Sequence, residues 1–488
     1  MKRTLIIIFL LSIVYQVFGQ KDFSTNFYIY DNKGKLQQTI RYDKVKLGSL
    51  GFLIVSKDGK YGVYNYKQEK IVTELKYRDI DAIFKNGLAL AKNKYGKLGL
   101  IDINNANEII LPFDYYKIFY LNDRYYSVTG FNRKTGVYDV IEKRFVIPCQ
   151  FDSRIGLQDE VFIIKNQNEY ALYGKKGEIV MPFQKQKFYL DKKNHLVNIH
   201  RNNSTLLFNT QSLKYQTEVE FKEFPIKFSN DAMIVSRDGR YGFLNTNGEM
   251  MTDFSFFQAV NFNEYGFAKV KKKNSWTVID KTGKEILVTE TIYESKRDCP
   301  DIKFDGIYLE RISEELQGVK KLDGTWLIPP EYYFFFIKDG YITGQKKNQE
   351  FFLFDLDGNF IKSMPQNQTV EPVGKLYRYY NDGEFGWMNK RFKVKAKPGT
   401  AFLNDFEHPK FAPIYLDSTK KFGAVNEKGK IIIPLEYDYI NTFDLKYNIA
   451  PFKKDGKWGV FNRKGKKIIA PIYSNRIALQ DGWSIMVE

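Results

Sequence analysis

The sequence predicts an all-β chain of tandem repeats. A string of the type aromatic-Gly-apolar-apolar-Asn/Asp recurs along the 488 residues, the segments around it alternate in polarity like short strands, and no helical heptads or long apolar stretch follow the N-terminus. The clearest strings are Tyr61-Gly62-Val63-Tyr64-Asn65, Tyr241-Gly242-Phe243-Leu244-Asn245, Phe385-Gly386-Trp387-Met388-Asn389, Phe422-Gly423-Ala424-Val425-Asn426 and Trp458-Gly459-Val460-Phe461-Asn462. With the glycine as anchor, positions 28, 62, 99, 136, 171, 206, 242, 277, 318, 352, 386, 423 and 459 mark thirteen copies about 36 residues apart. A unit of that size cannot bury its own apolar face and must stack on neighbours.

Each element has a local reason. The anchor segment, as in Lys457-Trp458-Gly459-Val460-Phe461, alternates as a strand. Three positions on, eleven copies carry Asn or Asp, and six positions on, eight carry glycine, among them Gly34, Gly177, Gly248 and Gly465. An Asn/Asp side chain that bonds its own backbone, followed by a residue tolerant of positive φ, predicts a hairpin turn. Before the anchor comes another strand and a tight turn such as Asp58-Gly59, Asp238-Gly239 or Asp455-Gly456. After the turn a third strand runs to a proline, as in Ile110-Leu111-Pro112 or Ile432-Ile433-Pro434, and proline predicts its end. A fourth short segment, such as Tyr77-Arg78-Asp79-Ile80 or Tyr437-Asp438-Tyr439-Ile440, completes several copies. The anchor glycine itself is expected to lie under an aromatic ring from an adjacent strand or unit.

These units read as propeller-like blades of three or four short antiparallel strands, with an open β-superhelix or solenoid as the alternative, because rings of about four to eight blades would not hold thirteen copies. The widest anchor gap, 277 to 318, suggests repeats 1–8 over residues 20–290, an irregular connection at 291–317 and repeats 9–13 over residues 318–488. The chain enters on the anchor strand Phe27-Tyr28-Ile29-Tyr30, and Trp483-Ser484-Ile485-Met486-Val487 stands where the next copy's preceding strand would be. The C-terminal segment thus holds the strand that the first copy lacks.

The Trp-Gly of Lys457-Trp458-Gly459-Val460, the Lys464-Gly465-Lys466 turn and Ile468-Ile469-Ala470-Pro471 resemble the WG (KWG) repeat of bacterial proteins. The resemblance spans nearly the whole chain after the N-terminus, is strong at anchors 62, 242, 423 and 459, and is weak at 28, 206, 318 and 352. It implies an all-β repeat protein, often exported, that mediates binding and has no shared catalytic residue.

Lys2-Arg3, the apolar run Thr4 to Val14 and Val17-Phe18-Gly19 form the charged, apolar and small-residue regions of a signal peptide over residues 1–19. The expected product is exported to the periplasm, the outer surface or the medium, and begins at Gln20. Its apolar run is too short to span a bilayer, so no transmembrane segment is expected after cleavage. The two cysteines, Cys149 and Cys299, lie four repeats apart and are expected to stay unpaired. A formal charge of +18 favours acidic partners, although its lysines fall mostly in turns, where they solubilise an array.

Catalytic constellations are missing from the sequence: no nucleophile elbow, phosphate loop or zinc spacing occurs, and no cofactor is expected. His195 and His200 are five apart, which on a strand sends them to opposite faces. Asp355-Leu356-Asp357-Gly358 occupies the repeat's own turn and lacks a downstream calcium-binding Glu. Tyr61, Gly62, Asn65, Tyr241, Gly242, Asn245, Phe422, Gly423, Asn426, Trp458, Gly459 and Asn462 are accounted for as structural repeat positions. Function is expected in segments that the repeat does not demand, at 290–317, 363–382 and 391–416, with Tyr377, Tyr379 and Tyr380 as candidate binding residues. Three readings follow: a non-enzymatic scaffold holding a protein partner, a module binding anionic glycan or lipopolysaccharide, and a propeller-type enzyme acting on glycans. Nucleic acid is not an expected partner.

Overall fold

The computed structural model describes residues 24–488 apart from 50, 186, 202–203, 221–227, 288–291, 305, 339, 365–367, 374–375, 382–383, 390, 397–398, 403–411, 417, 442–443, 445 and 479–481. The signal peptide expected at 1–19 lies outside these residues. Among the described residues the fold is strands and turns in thirteen small antiparallel sheets, ten of them four-stranded, and every anchor falls on one strand of one sheet.

The sheet at residues 44–77 shows the plan. Its strands are Lys44–Leu47, Phe52–Lys57, Lys60–Asn65 and Lys70–Tyr77, paired in that order, with the anchor Gly62 on the third. Sheets are staggered against the sequence copies. The short segment after the proline strand does not close its own copy: Tyr77 ends one sheet, and Asp79–Ile83 is the first strand of the next. Several sheets are therefore tied to their successors by a single residue of connecting chain, Arg78 in this case and Asp43, Tyr116, Tyr333, Asp438 and Ser474 elsewhere.

The turns follow the local chemistry read from the sequence. All eleven Asn/Asp side chains after the anchor accept backbone N–H bonds from residues two to four positions on. Asn462 Oδ1, for example, takes Lys464 N at 3.0 Å and Lys466 N at 3.1 Å. At the opposite end of the sheets, Asp58-Gly59, Asp238-Gly239 and Asp455-Gly456 have positive φ at both residues, the type I′ hairpin geometry.

The anchor glycine has a second reason beside the ring that the sequence suggests. A Cβ on Gly62 would lie 2.5 Å from Thr73 O, and on Gly99, Gly136, Gly318, Gly423 and Gly459 it would lie 2.4–2.8 Å from the carbonyl of Leu111, Ile147, Ile328, Ile433 and Ile469. Each carbonyl belongs to the fourth strand, which bulges opposite the anchor: Trp458 pairs with Tyr473 but Val460 with Ile469, four residues against two. Where the anchor is Tyr28, Leu206 or Phe352, the fourth strand pairs residue for residue and no bulge faces it. Glycine and bulge come together except at Ala171, where a narrower bulge, Tyr170 with Gln184 and Leu172 with Met181, leaves room for a methyl. Rings also touch some anchors, such as Phe452 at Gly459, but Gly136 meets backbone alone among its nearest atoms.

Proline likewise sits within the fourth strand rather than at its end, in the looped-out stretch at Pro112, Pro148, Pro329, Pro434 and Pro471. Having no N–H, it leaves no donor unpaired there. The fourth strand is one edge of each four-stranded sheet, so the bulge and proline also blunt edge-to-edge pairing there.

The chain divides into two compact units, Met1–Ile118 with Thr400–Glu488, and Phe119–Gly399. This differs from the expected break at 291–317, because that segment is packed between two sheets of the second unit, whereas both ends of the chain meet in the first. Within each unit, apolar clusters lie between successive sheets. In the first, Leu53 and Val55 face one neighbour while Phe52 and Ile54 face the other. One sheet of the first unit combines both ends: Asn475–Ala478 and Ser484–Val487 supply strands one and two, Thr25–Tyr30 and Leu36–Tyr42 strands three and four. Phe27 pairs with Val487 and Ile29 with Ile485, and Tyr28 OH donates to Glu488 Oε2 at 3.1 Å. This is the strand that the first copy lacks.

Candidate functional site

The second unit departs from the repeat between anchors 277 and 318. After Trp276–Ile279 no regular fourth strand forms among the described residues. Glu285 bridges Ile279, Tyr293 bridges Trp276, and Lys303 bridges Ile307 just before the strand Ile307–Arg311. The intervening chain fills the gap between two sheets with Tyr293, Cys299 and Ile302, which are buried against Trp276, Val278 and Tyr308.

This packing leaves a cleft of about 640 Å³ beside the inserted chain. Tyr293, Glu294, Arg297, Asp301, Glu310 and Arg311 are among its lining residues. Tyr293 OH donates to Glu310 Oε2 at 2.8 Å, and both residues are buried. Arg311 donates through Nε and Nη2 to the side-chain oxygen of Gln317, at 3.1 and 2.8 Å. Lys269 Nζ meets Asp301 Oδ1 at 2.8 Å. A second recess of about 200 Å³ lies by Pro300-Asp301-Ile302, where Asn263 Nδ2 holds Ile302 O at 2.8 Å.

Glu310 is the unusual residue. It pairs directly across from anchor Gly318. At that position the other twelve sheets carry Val55, Ala91, Val128, Ile164, Ile199, Val235, Val270, Gly344, Tyr379, Ile414, Phe452 and Met486. A carboxylate thus replaces a core residue where the cleft opens. Burying a charge is costly without partners, and the array does not need one there. Two residues earlier on the same strand, Tyr308 OH is fully buried and unbonded, and burial pushes its pKa up to about 12. The sequence reading marked this segment but missed Glu310. Its signal was available: aligned by anchor, it is the one charged residue in an otherwise apolar or glycine column.

Both cysteines are free thiols. Burial pushes the Cys299 thiol up to about 12, which leaves almost no thiolate near neutral pH. Native protein at pH 8 is accordingly expected to resist iodoacetamide at Cys299, and unfolded protein to react fully. Peptide mass spectrometry checks this, and rapid native labelling would refute the burial.

The tyrosines singled out from the sequence do not form a surface. Tyr377 and Tyr379 are 4% and 5% exposed and belong to a cluster with Leu353, Met364 and Met388. Tyr377 stacks on Phe392 with centroids 4.7 Å apart, and Tyr379 OH donates to Ala396 O at 3.3 Å. Tyr380, next on the strand, is half-buried. Second strands are packed between neighbouring sheets, so their aromatics go to the core.

His195 Nδ1 lies 2.9 Å from Asp159 Oδ1, the Thr210 hydroxyl donates to the same carboxylate, and Gln158 Nε2 donates to Leu196 O at 3.2 Å. This network stitches one sheet's first turn to the next sheet. His200 lies on the strand Leu196–Arg201. Among the described residues no three His, Cys, Asp or Glu side chains are grouped to hold a metal ion, and no helix is long and apolar enough to cross a membrane.

A family model described as "WG containing repeat" matches residues 61–97, 241–276, 422–458 and 458–477. Three matches begin on the aromatic before Gly62, Gly242 or Gly423, and the fourth on Trp458 before Gly459. No curated protein is significantly similar to the chain. Solved structures with some likeness include the computationally designed protein Ika8, with 8% identity and a TM-score of 0.22 over 71% of this chain and 95% of that one. BamB from Moraxella catarrhalis has 11% identity and a TM-score of 0.22 over 70% and 95%. PorZ of Porphyromonas gingivalis, described as an essential bacterial surface component of the type-IX secretion system, has 11% and 0.21 over 86% and 72%. No functional argument rests on similarity at that level.

Proposed function

We propose that this chain, a member of the WG-repeat family, is an exported, non-enzymatic scaffold that holds a protein partner at the cell envelope or outside the cell. The observation that carries this reading is the buried Glu310 at the cleft, a charged residue in a column that is otherwise apolar or glycine. Such a group, with Arg311 beside it, offers orientation and specificity to a partner seated on an otherwise structural surface. The cleft's polar groups are engaged with one another, Tyr293 with Glu310 and Arg311 with Gln317, and its cysteine is held as the thiol. That arrangement suits recognition better than proton transfer or nucleophilic attack.

A photo-cross-linking residue at Arg297, in the full chain expressed in its native host, is expected to give one discrete protein adduct that disappears when Arg311→Glu is added. The same probe at Lys60 should give none. Absence of an adduct at 297, or its persistence in the Arg311→Glu variant, would overturn the assignment. For export, the mature protein is expected to begin at Gln20, as read by mass spectrometry of its N-terminal peptide. Retention of Lys2-Arg3 in the accumulated protein would refute cleavage.

A further inference from the structure

We propose that the first unit binds a linear anionic polysaccharide along a strip of lysine-bearing turns. This surface is separate from the cleft and does not depend on the protein-partner reading. The strip is built from the turn after the third strand in three successive sheets: Asn426–Lys430, Asn462–Lys467 and Asp31–Lys35. They carry Lys428, Lys430, Arg463, Lys464, Lys466, Lys467, Lys33 and Lys35, all exposed, against the two carboxylates Glu427 and Asp31.

Backbone packing brings the turns side by side. A Cβ on Gly465 would lie 2.6 Å from Ile432 O of the preceding sheet, and on Gly34 it would lie 2.3 Å from Ile468 O. Each turn thus rests on the fourth strand of its neighbour. The next turn continues the line with Lys67 and Lys70, where Gln38 Nε2 donates to Tyr66 O at 2.6 Å. The sheet after that, with Asp102–Glu108, has no cation in its turn, and the strip ends.

Simple solubilisation does not require these charges to be left unpaired. Some turn lysines elsewhere are held, as Lys175 is by Glu160 at 2.8 Å and Lys281 by Asp231 at 3.5 Å, so the repeat can pair such a charge where a carboxylate stands beside it. Among the described residues, none of the eight cations of the strip lies within ion-pair distance of a carboxylate; Lys467 has the Tyr437 ring at 5.6 Å and, beyond pairing distance, the Glu436 carboxylate that Lys454 holds at 3.0 Å. Beside them stand the half-exposed aliphatic residues Leu36, Ile71 and Ile431, 44%, 39% and 44% exposed.

Charge repeat and surface type select the partner. Packed sheets lie about 10 Å apart, so the cationic pairs recur at that interval. A linear polyuronate, with a carboxylate on every sugar, presents every second one near that interval, while its apolar ring faces meet the aliphatic side chains. Nucleic acid carries a phosphate about every 3.4 Å of strand and gains much of its single-strand affinity from stacking on exposed rings, which these turns lack.

The test is retention of the full chain on immobilised polygalacturonate, with uncharged dextran as control. Retention is expected on the first only and should fall as salt rises, because exposed charges are screened within about 10 Å at 0.1 M salt. The triple variant Lys33→Glu, Lys428→Glu, Lys464→Glu is expected to lose tenfold or more in affinity with an unchanged unfolding midpoint. Lys60→Glu, Lys94→Glu, Lys457→Glu, which reverses three charges at the opposite end of the sheets, should retain binding. The proposal is overturned by no retention, by equal loss in both triple variants, or by tighter binding to duplex DNA or phosphatidylglycerol vesicles than to polygalacturonate.

Discussion

Replacing Gly459 with alanine is expected to lower stability by about 3 kcal/mol, the upper range for forcing an atom into a filled site. The new methyl would sit 2.7 Å from Ile469 O and 2.5 Å from Phe452 Cζ. The ring could turn aside, but the carbonyl could not, because the pairs Trp458–Tyr473 and Val460–Ile469 fix it on either side of the bulge. Gly136→Ala separates the two causes, since its nearest neighbours are Ile147 O, Cys149 N and Pro148 C, with no ring among them. It should cost as much. Gly456→Ala, in a turn with φ of 74° and no atom within 4 Å of the added methyl, should cost only about 1 kcal/mol of backbone strain. Denaturant unfolding of the three variants decides the matter: equal losses at 456 and 459 would sink the carbonyl account, and sensitivity at 459 without sensitivity at 136 would assign the effect to the ring.

Deleting residues 475–488 is expected to cost the first unit its folded state. The deletion removes two strands of a four-stranded sheet and leaves Thr25–Tyr30 with a bare edge. Ile485 and Met486 are fully buried, worth about 2 kcal/mol apiece on area alone, and Trp483 packs on Tyr66 with centroids 5.6 Å apart. The truncated chain should aggregate on expression. A synthetic 475–488 peptide added during refolding should restore soluble protein, while the same peptide carrying Ile485→Asp should not. A truncated chain with an unaltered melting profile would show that the shared sheet contributes little.

The parts of this fold that were legible in the sequence are those decided within a few residues. Asn462 caps its turn through Lys464 and Lys466, and Gly465 takes a φ of 76°, whatever lies beyond. What could not be read depends on a distant partner. Gly459 looks the same whether a ring or a carbonyl covers it, and the carbonyl belongs to a bulge ten residues away. Tyr77 and Asp79 look like one strand, yet they pair with different sheets. The tyrosines at 377 and 379 look available because their segment strays from the repeat, but a second strand has neighbours on both faces. The insertion before Gly318 was legible as a departure from period. Its decisive residue emerged only when strand pairing set Glu310 in line with twelve apolar or glycine counterparts.

The stagger between sheet and sequence copy bears on how such a gene changes length. Joining Tyr61 directly to Gly99, as unequal recombination between two copies would, leaves a third strand that begins in one copy and ends in the next. Its partners would still be present: Phe52–Lys57 before it and Glu108–Tyr115 after it. Loss or gain of whole periods therefore leaves the four-strand order intact, wherever within the period the join falls. An event of any other length orphans a strand. Copy number is the quantity that inheritance can vary freely here, and phase is the one that it cannot.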